Sequence, residues 1–207
     1  MEKNRMKKLL FVNACVRGEA SRTLELSRFY IDGFLEEEKA AGRNWDVEEV
    51  CLDEIEGLKP LDSSELALRD SMLAAGDFSH SMFDHAKKII SADHVVIGAP
   101  YWDLQFPAKL KVYLEACCVC GLSFYYSPEG IPQGQCRADK IVYITTSGGA
   151  IGKLNFGYDY VKGLFGNLLG VRESEFISAE ELDIFGKDVE AILRNAEDKI
   201  TEQVENF

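Results

Sequence analysis

The sequence predicts an α/β fold in which a doubly wound, five-stranded parallel sheet carries helices on both faces. Short apolar runs alternate along the chain with longer segments of helical periodicity. The clearest run, from Val95 to Ile97, is β-branched and uninterrupted, as in a strand buried on both faces. Parallel neighbours require right-handed crossover connections, which place the intervening helices on both sides of the sheet.

The predicted elements follow this alternation in order. Strands are expected at residues 7–13, 47–52, 94–98, 140–146 and 173–177, and helices at 21–41, 79–92, 107–117, 155–169 and 187–204. Residues 60–76 are acidic with helical spacing of leucines, so we expect an exposed or semi-mobile insertion there. From 121 to 134 an aromatic run followed by turn residues predicts a small hairpin or extended excursion.

Composition limits the class of protein. With 207 residues, 46% hydrophobic residues and 5 prolines, the chain can bury one substantial core, so residues 1–207 are expected to form one domain. Its net charge of −12, from 35 acidic and 23 basic residues, disfavours binding to nucleic acid or to an anionic membrane surface. No apolar run approaches the ~20 residues that span a bilayer.

The N-terminal apolar stretch and the cysteines indicate a cytoplasmic protein. The stretch from Leu9 to Val12 is shorter than the hydrophobic region of a signal peptide, which has about 7 to 15 residues, so we expect a buried strand. The six cysteines lack the spacing of a disulfide framework. Cys117, Cys118 and Cys120 have no second Cys/His pair to complete a metal site, which favours buried thiols and no metal. The three histidines are scattered, so none is expected to be a ligand or base.

An aromatic loop follows the third predicted strand. It contains Pro100, Tyr101, Trp102, Asp103 and Leu104, at the carboxyl end of a strand, where open α/β sheets bind ligands. Alternatively, the two aromatic rings cap the core and touch no ligand.

The loop after the first strand has the features of an anion site. It ends in Ser21, Arg22 and Thr23 at a predicted helix start, where free amides and hydroxyls bind anions without net positive charge. Arg17 and Arg22 would add charge-assisted hydrogen bonds to a phosphate. Alternatively, Ser21 is a plain N-cap and both arginines are solvated. The loop matches neither a P-loop nor a dinucleotide-binding glycine motif.

A third loop follows the fourth strand. It contains Thr146, Ser147, Gly148 and Gly149, and paired glycines let backbone approach a flat ligand closely. The three loops converge if the sheet order is 2-1-3-4-5. A phosphate-type site, an aromatic loop and a glycine-rich loop together favour a cleft for flavin mononucleotide, FMN.

In these motifs the chain resembles the FMN-dependent NAD(P)H:quinone oxidoreductases and azoreductases of the flavodoxin-like fold, over nearly its whole length. The matching segments are Ser21–Arg22–Thr23, Pro100 to Leu104 with Leu110 and Lys111, Gly121 with Ser123, Phe124 and Tyr126, and Thr146 to Gly149. The resemblance implies ping-pong hydride transfer from NADH or NADPH through FMN to a small aromatic acceptor, a quinone or an azo compound. The flavin carries the chemistry, so no side chain is nominated as acid or base. Trp102, Phe124 and Tyr126 are expected to wall the acceptor pocket, although Phe124 suits the core equally well.

Three positions depart from the family pattern. Cys15 replaces a serine near the phosphate site and is a weaker donor. Asp103 replaces an asparagine, and Ser147 replaces an arginine. A carboxylate near the flavin ring would disfavour the reduced, anionic flavin, unless Asp103 points away or is protonated.

Two other functions stay open on sequence grounds. A flavodoxin-type electron carrier would bind FMN without turning over a nicotinamide, and a flavin-free binding module would use the same cleft for another ligand. The aromatic residues of 124–126, with Phe156, Tyr158 and Tyr160, carry more aromatic surface than one small sheet edge can bury. Together with the resemblance they predict a homodimer.

Overall fold

The structure is a computed structural model that describes residues 5–205. Its strands are β1 (Lys7–Asn13), β2 (Trp45–Cys51), β3 (His94–Gly98), β4 (Phe124–Tyr126), β5 (Pro132–Gly134), β6 (Lys140–Thr146) and β7 (Glu173–Ala179). Five of them form a parallel sheet in the order β2-β1-β3-β6-β7, and β4 pairs with β5 in a separate antiparallel hairpin. Counting the strands of the large sheet alone, this is the predicted order 2-1-3-4-5, which is confirmed.

Six α-helices connect and cover the strands. They are α1 (Arg22–Ala40), α2 (Ser63–Ala75), α3 (Asp84–Ser91), α4 (Ala108–Cys117), α5 (Phe156–Leu164) and α6 (Val189–Glu205). α3 begins later than predicted because a 3₁₀ turn, Ser81–Phe83, precedes it. The Met82 amide donates to the His80 ring there. α5 continues into a π-helical turn, Phe165–Leu169, that ends at Gly170 with a φ of 86°.

The central strands β1, β3 and β6 are buried on both faces, which explains their largely apolar sequences. In β1, Leu10 and Val12 pack with residues of α3, α4 and α5, whereas Leu9 and Phe11 pack with residues of α1 and α6. Successive side chains of a strand point to opposite faces, so a strand buried in this way supplies both cores. The helices therefore enclose the sheet and leave its carboxyl edge to the loops.

The predicted insertion at residues 60–76 is an ordered helix with no buried residue, α2. Asp62 and Glu65 form a capping box at its start. Met72 and Leu73 are partly buried against a small cluster that contains Phe83. The helix thus lies on the surface, as expected, but it is anchored.

Several residues with reactive side chains have structural roles. His94 is buried and its Nε2 lies 3.1 Å from the Tyr30 hydroxyl; burial lowers its pKa to about 3. Cys117 is fully buried, and burial raises its pKa well above the usual value. Cys120, in contrast, is exposed, because it lies beyond the end of α4.

Within residues 5–205, no helix is long and apolar enough to cross a membrane.

The close approach of α1 to β3 generates a prediction. A Cβ at Gly98 would lie 2.5 Å from Ser27 Oγ and 3.1 Å from the Phe11 ring. We expect Gly98→Ala to lower the free energy of unfolding by about 2 kcal/mol through overpacking, measured by urea denaturation. Gly163→Ala is the matched control, because a Cβ there meets nothing within 4 Å and alanine favours the helix by up to about 1 kcal/mol. A Gly98→Ala protein as stable as the parent would contradict this packing.

Candidate functional site

Three loops at the carboxyl edge of the sheet meet in one cleft of about 210 Å³. They follow β1, β3 and β6, which are neighbours in the sheet. The cleft is lined by Val16, Arg17, Ala20, Ser21, Arg22, Thr23, Pro100, Tyr101, Trp102, Thr146, Ser147, Gly148 and Asp183. The structure therefore brings together residues from all three loops that the sequence singled out.

The first turn of α1 forms one end of the cleft. Ser21 is the N-cap, and its hydroxyl accepts a hydrogen bond from the Leu24 amide at 3.3 Å. The first intrahelical hydrogen bond is donated by the Glu25 amide to the Ser21 carbonyl at 3.1 Å, so the amides of Arg22 and Thr23 have no acceptor within the helix. The Thr23 hydroxyl lies 2.6 Å from that of Thr146, which joins the helix start to the end of β6. Such a helix start favours an anionic group.

The two arginines at this end differ in their contacts. Arg17 is exposed, and its guanidinium has no hydrogen bond or ion pair with another residue in the part of the chain that the structure describes. Arg22 donates to the Leu182 carbonyl at 3.2 Å and to the Asp183 carboxylate at 2.8 Å. Arg17 is thus a free cation beside the helix start, whereas Arg22 is held by an internal carboxylate.

Cys15 lies beneath the cleft and does not line it. Its amide donates to the Asn13 side chain at 2.9 Å, and its thiol lies 3.6 Å from the Gly98 carbonyl. Burial raises the pKa of this thiol to about 11, so it stays protonated near neutral pH. The side chain therefore supports the loop from below.

The aromatic loop closes another side of the cleft with a tight turn. The Tyr101 amide donates to the Thr146 carbonyl at 3.1 Å, and its hydroxyl donates to the Leu154 carbonyl at 2.9 Å. Trp102 and Gln105 exchange two backbone hydrogen bonds of 3.2 and 2.7 Å. The residues between them, Asp103 and Leu104, have φ values of 49° and 67°.

This backbone conformation belongs to hairpin turns and favours glycine or asparagine. A leucine at positive φ stores strain of order 1 kcal/mol. Both Asp103 and Leu104 are exposed and neither lines the cleft. Trp102 lines the cleft and keeps 42% of its surface exposed, which leaves its ring available to a ligand.

The glycine-rich loop forms the wall next to Asp183. A Cβ at Gly148 would lie 2.5 Å from Asp183 Oδ2, and a Cβ at Gly149 would meet nothing within 4 Å. Ser147 donates its hydroxyl to the Gly149 carbonyl at 2.5 Å. A side chain at Gly148 would therefore require the exposed Asp183 carboxylate to shift, while Gly149 faces open space although it does not line the cleft.

These features fit a flat aromatic ligand with one phosphate. The free amides of α1 and the Arg17 cation suit a phosphate monoester. The backbone of the glycine-rich loop suits the hydrogen-bonding edge of a ring system, and the aromatic loop suits its face. Among residues 5–205, no group of His, Cys, Asp and Glu side chains has the arrangement of a metal site.

The hairpin residues lie outside this cleft. Phe124 is buried and its ring meets that of Tyr126 edge-on at 5.6 Å. Tyr126 is 56% exposed, and neither residue lines the cleft. At Gly134 of the hairpin, the close approach of Leu169 leaves no room for a side chain.

Sequence reasoning missed Val16, Ala20 and Asp183. The signal for Asp183 was its position four residues after the last strand, because that loop also emerges at the carboxyl edge. The predicted strand ends at residue 177, two residues before the end of β7, and the prediction places no site residue on the loop that follows it.

Comparisons with known proteins agree with this geometry. A family model for the flavodoxin-like fold matches residues 7–204. The chain is 36% identical to FMN-dependent NADH:quinone oxidoreductase 2 of Clostridium acetobutylicum, over 98% of this chain and 100% of the relative. It is 33% identical to the FMN-dependent NADH:quinone oxidoreductase of Clostridium beijerinckii, again over 98% and 100%.

Solved structures show the same fold. An azoreductase from Bacillus anthracis str. Sterne superposes with a TM-score of 0.82 at 24% identity, covering 98% of this chain and 100% of the other. An FMN-dependent NADH-azoreductase from Bacillus anthracis str. Ames Ancestor, solved in complex with FMN, superposes with a TM-score of 0.79 at 20% identity, covering 97% and 99%. With its fold and its relatives established, the chain belongs to the flavodoxin-like family of FMN-dependent NADH:quinone oxidoreductases.

Proposed function

We propose that this protein is an FMN-dependent oxidoreductase that uses NADH to reduce quinones or azo compounds in a ping-pong reaction. The observation that carries the proposal is the convergence of a phosphate-type helix start, an aromatic loop and a glycine-rich loop in one cleft. Relatives that match the chain along its whole length are named for this activity. The free state of all six cysteines supports a cytoplasmic location.

In this proposal each loop binds a different part of FMN. The amides of Arg22 and Thr23, with Ser21 and Arg17, would hold the phosphate. Residues 146–149 would hydrogen-bond the edge of the flavin ring, and residues 100–104 would lie along it. Bound FMN would supply the redox chemistry by accepting a hydride from the nicotinamide and passing two electrons to the acceptor.

The protein's own groups would position the reactants and exclude water. Trp102 lines the cleft with a half-exposed indole, which suits it to stack on a flat nicotinamide or acceptor. No side chain is assigned as acid or base.

A spectrum of the purified protein, followed by an NADH oxidation assay with a quinone, tests the function. We expect flavin absorbance that bleaches with NADH, and steady turnover when the quinone is added. Bound flavin without NADH turnover would favour an electron carrier instead. A protein that binds no flavin would favour a binding module of another kind.

The surface beside the cleft supports a homodimer. Tyr125, Tyr126 and Ile131 of the hairpin segment are each about half exposed, as are Leu154 and Phe156. Such exposed apolar side chains are typical of an interface. Tyr158 and Tyr160 contribute less exposed aromatic surface than the sequence predicted, because both pack against the core. A partner's hairpin would close the open side of the cleft, so that Tyr126 would wall an acceptor pocket. Phe124, which is buried in its own chain, would support the Tyr126 ring from behind.

The phosphate site generates the first prediction of this section. Replacing Ser21 and Thr23 together with alanine removes two hydroxyls at the helix start. We expect the double variant to bind FMN at least about tenfold more weakly than the parent, because a hydrogen bond to a charged group contributes about 1.5–3 kcal/mol. Fluorescence of released FMN measures the affinity. Asp62→Ala, which removes the N-cap of α2, controls for loss of capping and should leave the affinity unchanged. Undiminished affinity in the double variant would place the phosphate elsewhere.

Asp103 generates a second prediction. Its side chain is exposed and does not line the cleft, but it belongs to the loop that would lie along the flavin. We therefore expect Asp103→Asn to relieve repulsion of the reduced, anionic form and to raise the midpoint potential by about 20 mV. Redox titration of the FMN-loaded protein measures the shift. Asp70→Asn, on the exposed surface of α2, should not change the potential. An unshifted potential in folded Asp103→Asn protein would show that this carboxylate does not act on the flavin.

The dimer generates a third prediction. Tyr126→Arg places a charge in the proposed interface, and we expect it to lower both the sedimentation coefficient and quinone reductase activity on dilution. Leu68→Arg is the matched control, because Leu68 is comparably exposed but lies on α2. Full specific activity in a demonstrably monomeric sample would refute the shared site.

A further inference from the structure

Asp183 stands at the end of the cleft that would receive the phosphate. Its carboxylate accepts a hydrogen bond from Arg22 at 2.8 Å and lies against Gly148. Arg22 is the first residue of α1, so its side chain starts beside the free amides of that helix. One of the two arginines that line the cleft is thus already bound to a carboxylate of the same chain.

The loop that carries Asp183 does not need this ion pair to keep its place. The amides of Leu182 and Asp183 donate to the carbonyls of Ser147 and Gly148 at 3.1 and 3.0 Å. The Leu182 side chain is buried in the core. Backbone hydrogen bonds and burial therefore fix the loop, and the side-chain pair is left with an electrostatic role.

The pair is also easily exchanged. Asp183 keeps 67% of its side chain exposed and Arg22 keeps 31%. Exposed ion pairs contribute about 1 kcal/mol or less, whereas an arginine with a phosphate dianion forms stronger, charge-assisted hydrogen bonds. Arg22 can therefore leave Asp183 for a phosphate.

We propose that Asp183 is a specificity-determining residue of the cleft, which competes with the ligand phosphate for Arg22 and so lowers the affinity for phosphorylated flavins. This inference rests on the proposed function. Asp183 pairs with Arg22 and leaves the Arg17 guanidinium as the unpaired cation of the cleft among the described residues. A phosphate that binds Arg22 must therefore displace the Asp183 carboxylate.

The test compares FMN with riboflavin, which has the same ring and no phosphate. Full-length protein is loaded with either flavin and diluted in series, and the fluorescence of released flavin gives the dissociation constants. We expect Asp183→Asn to bind FMN roughly fivefold more tightly at low salt, because it frees the Arg22 guanidinium for the phosphate. Riboflavin affinity should not change. The gain should shrink as salt is added.

Two further variants test whether the gain in FMN affinity comes from the release of Arg22. Glu181→Gln, in the same loop, removes a carboxylate that is paired with Lys187 at 2.8 Å outside the cleft, and it should leave the FMN affinity as in the parent. In an Arg22→Gln background, Asp183→Asn should give no gain.

An unchanged or lower FMN affinity in Asp183→Asn protein that still binds riboflavin would overturn the proposal. A gain that persists without Arg22 would overturn it as well. If the parent binds neither flavin, the proposed function itself fails, and that outcome is distinct from both.

Discussion

The hydrogen bond between the hydroxyls of Thr23 and Thr146 joins the start of α1 to the end of β6. Both residues are buried at the carboxyl edge of the sheet. Gly98, at the end of the neighbouring strand β3, lies so close to Ser27 of the same helix that a Cβ there would clash with the Ser27 hydroxyl. These contacts hold the helix start against the strand ends, and the cleft depends on that placement.

This arrangement explains how a chain of net charge −12 can offer a site to an anion. Backbone amides at a helix start carry partial positive charge that no other residue of the helix neutralises. The cations nearby are few, and one of them, Arg22, is paired with Asp183. Local geometry therefore supplies the attraction that overall charge does not.

Much of the fold could be predicted because the central strands β1, β3 and β6 are buried on both faces. Residues such as Val95 to Ile97 must be apolar without interruption, and this pattern distinguishes strands from the amphipathic helices. Element ends were less predictable. The 3₁₀ turn at Ser81–Phe83 and the π turn at Phe165–Leu169 depend on local hydrogen bonds that periodicity does not show.

The candidate site also contains residues that the sequence could predict and residues that it could not. Residues on the loops after β1, β3 and β6 could be found because glycines, hydroxyls and aromatics mark those loops in sequence. Asp183 could not, because its place in the cleft comes from the pairing of two loops through Ser147 and Gly148. Phe124 and Tyr126, which the sequence predicted to wall an acceptor pocket, do not line the cleft of their own chain, and sequence periodicity does not show how the hairpin is placed relative to that cleft.

A crystal structure of the protein with FMN tests the central claim most directly. The account predicts that the phosphate oxygens accept hydrogen bonds from the amides of Arg22 and Thr23, about 2.7–2.9 Å apart as for charge-assisted hydrogen bonds. It also predicts that the ring lies between residues 100–104 and 146–149. A phosphate bound away from the start of α1, with the ring outside these two loops, would contradict it.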